Sequence, residues 1–299
     1  MGSKQRLKIG LHLPETERVV PWRELAAMCQ VAEDAGFDSI WVPDHLLYRF
    51  PNQEPVGPWE GWSILSAVAA VTRRVEIGPL VLCTSFRNPA LIAKMADTVD
   101  DISGGRLILG LGAGWHEPEY QAFGFPFEER FARFAEAFTI IRTLLHDGAI
   151  DFQGHYYTLR DCELRPRGPR RHGPPLLAGT RGERMLRLMA PHITYWNAWG
   201  RWINNSPEGL RPLLDQVDAA CLAVGRDPAS VQRTAAVFVR LPGGSAPMQA
   251  PPITGTPEEI AEALRCFGQA GISHLQVVLD PITCRGIEEF APVLERMKS

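Results

Sequence analysis

The chain has 299 residues, 45% of them hydrophobic and 22% charged, with a formal net charge of −3. That is ordinary globular composition, and a charge so near neutrality excludes a basic nucleic-acid groove and a polybasic membrane patch. The longest apolar stretches, such as Leu65–Val71, are far too short to span a bilayer. The opening residues Met1–Arg6 are polar and basic and do not read as a secretion signal. Arg6 also breaks the N-myristoylation pattern. Six cysteines are scattered with no Cys-x-x-Cys pair, the usage expected of reduced thiols in a cytoplasmic protein.

Short apolar runs alternate with stretches of helical period. A strand is expected over Leu7–Leu13, then a helix over Pro21–Ala35. That helix carries Leu25, Met28, Cys29 and Ala32 on one face and Gly36 as its stop. Strand Ser39–Val42, helix Gly61–Thr72, strand Val75–Leu82, helix Asn88–Ile102 and strand Leu107–Leu111 follow, with a long helix over Arg130–Leu145. Gly148–Pro175 interrupts the pattern: Phe152–Tyr157 reads as a hairpin, and an Arg/Pro-rich loop comes after it. Alternation resumes with strand Pro175–Ala178, helix Arg181–Ala190, strand Ile193–Asn197 and helix Glu208–Val224. Strand Thr234–Leu241, helix Glu258–Ala270, strand His274–Leu279 and helix Gly286–Met297 complete it. Thr256-Pro257-Glu258-Glu259 is a helix start with a capping box. Eight strand–helix units predict an α/β fold, a (β/α)8 TIM-type barrel with insertion segments. It is expected as one domain over residues 1–299, with insertions at about 115–174 and 242–255. Loops this long in a barrel read as functional lids or disordered segments.

In such a barrel the chemistry gathers at the C-terminal ends of the strands. There the sequence offers His12, then Asp44-His45, Cys83-Thr84-Ser85, and Gly110 to Glu117. Ala178 to Gly182 and Tyr195-Trp196-Asn197 follow. Asp44-His45 sets a carboxylate beside an imidazole that can give or take a proton near neutral pH; the plainer reading is a capping Asp and a packing His. His116, Glu117 and Glu119 are metal-ligand types, but they lack the spacing of a metal motif, and no metal is expected. Gly110-x-Gly112-x-Gly114 follows a strand without the third glycine of a dinucleotide fingerprint, and Trp115-His116-Glu117-Pro118 is a poor helix start. Bare backbone that lets a flat ring approach is the better reading, with a tight turn as the alternative. Ala178-Gly179-Thr180-Arg181-Gly182 opens a helix and reads as a phosphate cradle, with Arg181 and Arg184 adding charge. Trp59, Trp62, Trp115, Trp196, Trp199 and Trp202 point to a broad aromatic mouth, unless several of them roof the core.

Taken together, these motifs resemble the bacterial luciferase-like superfamily of flavin and deazaflavin oxidoreductases, most closely its branch that uses the deazaflavin coenzyme F420. The resemblance rests on Ala35 to His45, Arg87 to Lys94, and Ser103 to Tyr120. Pro174 to Thr180 and Thr256 to Glu259 add to it. It implies a TIM-type barrel, a homodimer, and an isoalloxazine-like ring over the barrel mouth. It further implies that Asp44 and His45 face the ring or substrate. Cys83 and Thr84 line the ring edge near a bulge in the third strand that often holds a non-proline cis peptide. Gly112 and Gly114 allow close backbone approach, and Trp115 lies beside them. Gly179, Thr180, Arg181 and Gly182 hold the cofactor phosphate. Trp115 replaces a Glu of the sugar-phosphate dehydrogenases, which points away from a sugar phosphate as substrate. Tyr195 places bulk where relatives have glycine.

The expected function is hydride transfer between F420 and a small organic substrate, with His45 as proton carrier and Asp44 orienting it. A separate reductase would recharge the cofactor in trans. The alternatives are a reduced-FMN-dependent monooxygenase and a flavin-binding protein without turnover.

Overall fold

A computed structural model describes residues 6–298. Its elements in chain order begin with β1 (Lys8–His12), α1 (Trp22–Ala35), β2 (Ser39–Val42), α2 (Gly61–Val71), β3 (Glu76–Pro79) and β4 (Leu82–Cys83). Next come α3 (Pro89–Ser103), β5 (Leu109–Gly112), α4 (Glu117–Phe123), α5 (Arg130–Asp147), β6 (Ala149–Gln153) and β7 (Thr158–Glu163). The chain ends with β8 (Leu176–Ala178), α6 (Glu183–Met189), β9 (Tyr195–Trp199), α7 (Arg211–Ala223), β10 (Gln232–Arg240), α8 (Pro257–Gln269), β11 (His274–Asp280) and α9 (Cys284–Lys298). The expected alternation is present. The strand expected over Val75–Leu82 is two pieces, β3 and β4, and the Leu80–Val81 peptide between them is cis. The turn at Trp115–Pro118 departs from expectation. A helix does begin at Glu117, because Pro118 falls in its first turn, where no backbone N–H is needed.

The described chain forms two compact units. The first takes the chain up to Trp41, Arg74–Glu76 and the chain from Leu177. Its strands lie parallel in the order β2-β1-β11-β10-β9-β8, with Leu11 beside Ile40 and Val277, and Ala235 beside Leu275 and Ala198. Apolar residues at helical spacing bury one face of α1 through Leu25, Met28, Cys29 and Ala32, and Gly36 ends it at φ 94°. Phe37 stacks on Phe290 of α9 at 5.5 Å. The capping box at Thr256 forms as expected, with the Thr256 side chain accepting from Glu259 N.

A polar chain crosses this apolar sheet. Trp41 Nε1 donates to Ser39 Oγ at 2.7 Å, and Ser39 Oγ lies 2.7 Å from Nε2 of His274, all three side chains buried. A Cβ on Gly10 would fall 2.1 Å from Ser39 Oγ, so this strand position must be glycine.

The second unit takes Val42–Arg73 and Ile77–Leu176. Here β4 and β5 pair in parallel, Cys83 opposite Gly112. Helix α3 starts at the Asn88 cap, whose side chain accepts from Ala90 N and Leu91 N, and it stops at Gly104, φ 67°. The hairpin expected around Phe152–Tyr157 is the antiparallel pair β6 and β7. Glu136 of α5 holds its tip by accepting the N–H groups of His155, Tyr156 and Tyr157. The Arg/Pro-rich loop is tied down rather than lid-like. Arg167 bonds Asp97 and Arg170 bonds Asp100, both buried acids of α3. The Pro242–Gly255 loop, in the first unit, is tied likewise. Trp199 Nε1 donates to Gln249 Oε1, Asn205 Nδ2 donates to Pro251 O, and Ile253 bridges to Val239.

Candidate active site

The second unit gathers Asp44, His45, Cys83, Thr84, Gly112, Gly114 and Trp115 at the ends of β2, β4 and β5. Apolar strands deliver these positions, and the loops that follow supply the polar groups.

Asp44 is 3% exposed and wholly engaged. Its Oδ2 accepts from Cys83 N at 2.8 Å and from Arg87 Nη1 at 2.8 Å, and Oδ1 accepts from Arg87 Nη2 at 2.7 Å. Arg87 also bonds Glu60, which caps α2 by accepting from Trp62 N and Ser63 N. Burial alone would lower the Arg87 pKa, but the bonds to Asp44 and Glu60 outweigh it and raise the pKa. Asp44 is thus the centre of a clamp joining β2, β4, α2 and the loop before α3. The partner found for His45 is a different carboxylate.

That carboxylate is Glu119 of α4, fully buried. Its Oε1 accepts from His45 Nδ1 at 2.9 Å, and its Oε2 accepts from Leu46 N at 2.9 Å. The imidazole is thus held through Nδ1 by this carboxylate. The His45 side chain is 16% exposed. Its ring packs on Tyr48 at 4.5 Å and edge-on to Trp115 at 5.7 Å. His116 plays a different part. Its Nε2 accepts from Arg49 N at 3.0 Å, which requires the neutral ring, and burial lowers its pKa accordingly. Sequence reasoning noticed Glu119 only as a ligand type and as one residue within a family block. No local signal joins it to His45.

Beside the pair, Cys83 is buried, and burial pushes its thiol up to about 12. Tyr120 donates its hydroxyl to Ala113 O at 2.6 Å, so the Cys83 thiol donates to the Tyr120 oxygen at 3.0 Å. Cys83 is therefore a protonated packing group and no nucleophile. The same pair explains Gly114: at φ 73°, a Cβ there would lie 2.0 Å from the Tyr120 hydroxyl and 2.7 Å from Cys83 Sγ. A Cβ on Gly112 would come within 2.8 Å of a Val81 methyl. Both bare positions are thus used by this chain's own side chains. Thr84 is 1% exposed, and Trp115 is 57% exposed.

In the first unit, Gly179, Thr180, Arg181 and Gly182 form the turn after β8. Thr180 Oγ1 accepts from Gly182 N at 3.2 Å, and Thr180 O accepts from Trp196 Nε1 at 2.7 Å. Arg181 lies over the Trp202 ring at 5.6 Å. A Cβ on Gly182 would meet nothing nearer than Thr180 Oγ1 at 3.9 Å, which leaves room above this turn. The tryptophans do not act as one rim. Trp196 and Trp62 are buried core residues, whereas Trp59 and Trp115 are exposed. Tyr195 is a buried strand residue paired with Leu177. His12 donates Nδ1–H to Leu13 O at 2.9 Å and meets the Trp199 ring at 5.9 Å.

The chain is 40% identical over 170 residues to an F420-dependent glucose-6-phosphate dehydrogenase of Amycolatopsis mediterranei, covering 54% of this chain and 50% of that protein. It is 30% identical over 237 residues to the pyrimidine monooxygenase RutA of Allorhizobium ampelinum, covering 74% of this chain and 64% of that one. The chain spans about half the length of the curated relatives it matches, 51% for RutA of Cronobacter sakazakii. Among solved structures, it superposes on an F420-dependent secondary alcohol dehydrogenase with a TM-score of 0.83 and 19% identity, over 98% of this chain and 100% of that one. The coenzyme F420-dependent tetrahydromethanopterin reductase of Methanopyrus kandleri gives 0.76 at 18% identity, over 98% and 99%. These likenesses carry the fold, which is the α/β TIM-type barrel that the alternation predicts. Residues 6–242 match the model of the luciferase-like monooxygenases, and the chain belongs to that family.

Proposed function

We propose that the chain is a cytoplasmic oxidoreductase that moves a hydride between F420 and a small organic substrate, with His45 carrying the balancing proton. The observation behind this reading is the His45–Glu119 pair: a partly accessible imidazole held through Nδ1 by a buried carboxylate. A deazaflavin, when bound, supplies a ring carbon that passes hydride and reacts poorly with dioxygen. The chain's own part is to bind, orient and move the proton. Glu119 fixes the tautomer and plane of His45. The Asp44–Arg87–Glu60 clamp fixes the strand ends that carry His45 and Cys83. Tyr48 and Trp115 shield the imidazole from water. Cys83, Thr84 and Trp115 would line the ring, with Gly112 and Gly114 serving by keeping the turn tight. Gly179, Thr180, Arg181 and Gly182 would hold the phosphate, and the room above Gly182 supports this. The working form is a homodimer served by a separate cofactor reductase acting in trans.

The likeness to pyrimidine monooxygenases supports a second reading, a reduced-FMN-dependent monooxygenase. Titrating the protein with F420 and with FMN, then mixing each reduced cofactor with and without dioxygen, separates the two. Tighter F420 binding with oxygen-independent turnover is expected. FMN preference with reduced-flavin-dependent oxygen uptake would overturn the hydride-transfer reading.

A further inference from the structure

Helix α4 opens with His116-Glu117-Pro118-Glu119, and His116 is its N-cap residue. An N-cap side chain ordinarily bonds a backbone N–H of its own helix. The His116 side chain makes no such bond. It is buried and turns instead to the segment that follows His45.

That segment, residues 46–50, has no regular structure apart from a bridge between Tyr48 and Val56. Its backbone N–H groups therefore need acceptors from elsewhere. Glu119 Oε2 accepts from Leu46 N at 2.9 Å, Val56 O from Tyr48 N at 2.6 Å, and His116 Nε2 from Arg49 N at 3.0 Å. Helix α4 thus grips the segment with a carboxylate at one end and an imidazole at the other. Tyr48 lies between the two grips. Its ring centroid is 4.5 Å from that of His45 and 5.3 Å from that of His116. The His116 ring also meets Phe50 at 5.2 Å and Trp115 at 5.1 Å. One buried imidazole therefore bonds the backbone next to Tyr48 and packs on the ring that covers His45.

The two grips differ in chemistry. Arg49 N can only donate, so His116 Nε2 must present a lone pair and the ring must be neutral. A protonated ring would set N–H against N–H and leave Arg49 N without this acceptor. Burial lowers the His116 pKa; the charge on Glu119 opposes this, and His45 adds to it. The other titratable neighbours are Glu117 on α4 and Tyr48 and Arg49 on the facing segment. The bond is therefore present at neutral pH and open to protonation below the ordinary histidine value of about 6.5.

We propose that His116 is a positioning residue: its neutral imidazole holds residues 46–50 so that Tyr48 lies against His45, and protonation of His116 releases that hold. Its consequence for catalysis rests on the reading of His45 as proton carrier. The hold itself does not.

The test is two-dimensional NMR of the full chain without cofactor, titrated downward from neutral pH. In the parent protein the His116 ring is expected to titrate below about 6.5, and the Arg49 amide to shift with the same midpoint. His116→Gln can offer an amide oxygen near the Nε2 position but cannot titrate. It should keep the parent His45 ring resonances at neutral pH while the Arg49 amide loses that midpoint. His116→Phe keeps a ring and removes the acceptor. It should move the His45 ring resonances, because the Tyr48 ring current on them changes. It should also speed exchange of the Arg49 amide roughly tenfold, the worth of about one hydrogen bond. Thermal unfolding checks that each variant is folded, and the parent and His116→Gln titrations decide the matter if His116→Phe is not. Parent-like His45 resonances and Arg49 exchange in folded His116→Phe overturn the proposal. So does an Arg49 amide in the parent that ignores the His116 titration. A fluorescence titration with F420 is run beside these spectra. Failure to bind F420 removes the hydride-transfer reading, while the cofactor-free spectra still decide the role of His116.

Discussion

Glu119 Oε1 lies 2.9 Å from His45 Nδ1 across 74 residues of sequence, with the carboxylate fully buried and the imidazole partly open. The same Glu119 accepts Leu46 N, so one side chain fixes both the ring and the backbone that carries it. His45→Ala is expected to slow single-turnover hydride transfer by roughly 10²–10⁴-fold, the usual worth of general acid–base catalysis, with cofactor affinity changed far less. Glu119→Gln keeps the shape and should give a smaller kinetic loss. Glu119→Ala should in addition lower unfolding free energy by about 1–3 kcal/mol, because Leu46 N–H loses its acceptor. Near-normal transfer in His45→Ala would make the pair a structural cap.

Asp44 is expected to act on stability before it acts on chemistry. Asp44→Asn removes the charge facing Arg87 in a buried site and leaves Glu60 as its remaining anion. The expected loss is roughly 3 kcal/mol in denaturant unfolding, the low end for a broken buried pair. Adding Arg87→Met removes the stranded cation. The double variant should therefore be less destabilised than the sum of the two single changes. Strict additivity would mean that the clamp carries no coupling.

His274 sets a pH dependence that does not involve the reaction. Burial, with a smaller contribution from the charge on Lys8, pushes its pKa down to about 3. The unfolded chain, with histidine near 6.5, binds the proton more readily over the interval from about 6.5 to about 3. Stability therefore rises with pH across that window and is lost as pH falls, by at most about 1.4 kcal/mol per unit. His274→Gln should flatten that part of the stability–pH curve relative to the parent protein. An unchanged slope would assign the acid loss to carboxylates such as Glu60.

The alternation of strands and helices was legible because it rests on local signals. Gly36 past an amphipathic face and the Thr256–Glu259 capping box form where the pattern puts them. Asp44 and His45 were legible as strand-end residues for the same reason. Their partners were not. Glu119 and Arg87 reach them across 74 and 43 residues, and nothing in the local pattern encodes such pairings. The division between β3 and β4 was hidden because Leu80-Val81-Leu82 reads as continuous apolar strand. Helix α4 was hidden by Pro118, whose place in a first turn is visible only once the start at Glu117 is known.

Gly114 offers the sharpest separation of packing from binding. Bare backbone here reads from sequence as room for a flat ring, yet Tyr120 and Cys83 already occupy the space a Cβ would need. Its φ of 73° adds conformational strain for any L side chain. Gly114→Ala is therefore expected to destabilise the protein with no cofactor present, by roughly 1–3 kcal/mol, the usual range for overpacking. Tyr120→Phe removes the hydroxyl that lies 2.0 Å from the new methyl, but Tyr120 Cζ at 2.9 Å and the positive φ remain. The double variant should accordingly recover part of the loss relative to the sum of the single changes. Urea unfolding of the four proteins without cofactor, followed by F420 titration of those that are folded, makes the comparison. If Gly114→Ala unfolds like the parent and loses only cofactor affinity, the glycine serves the ring directly, and Tyr120 moves aside to admit the methyl.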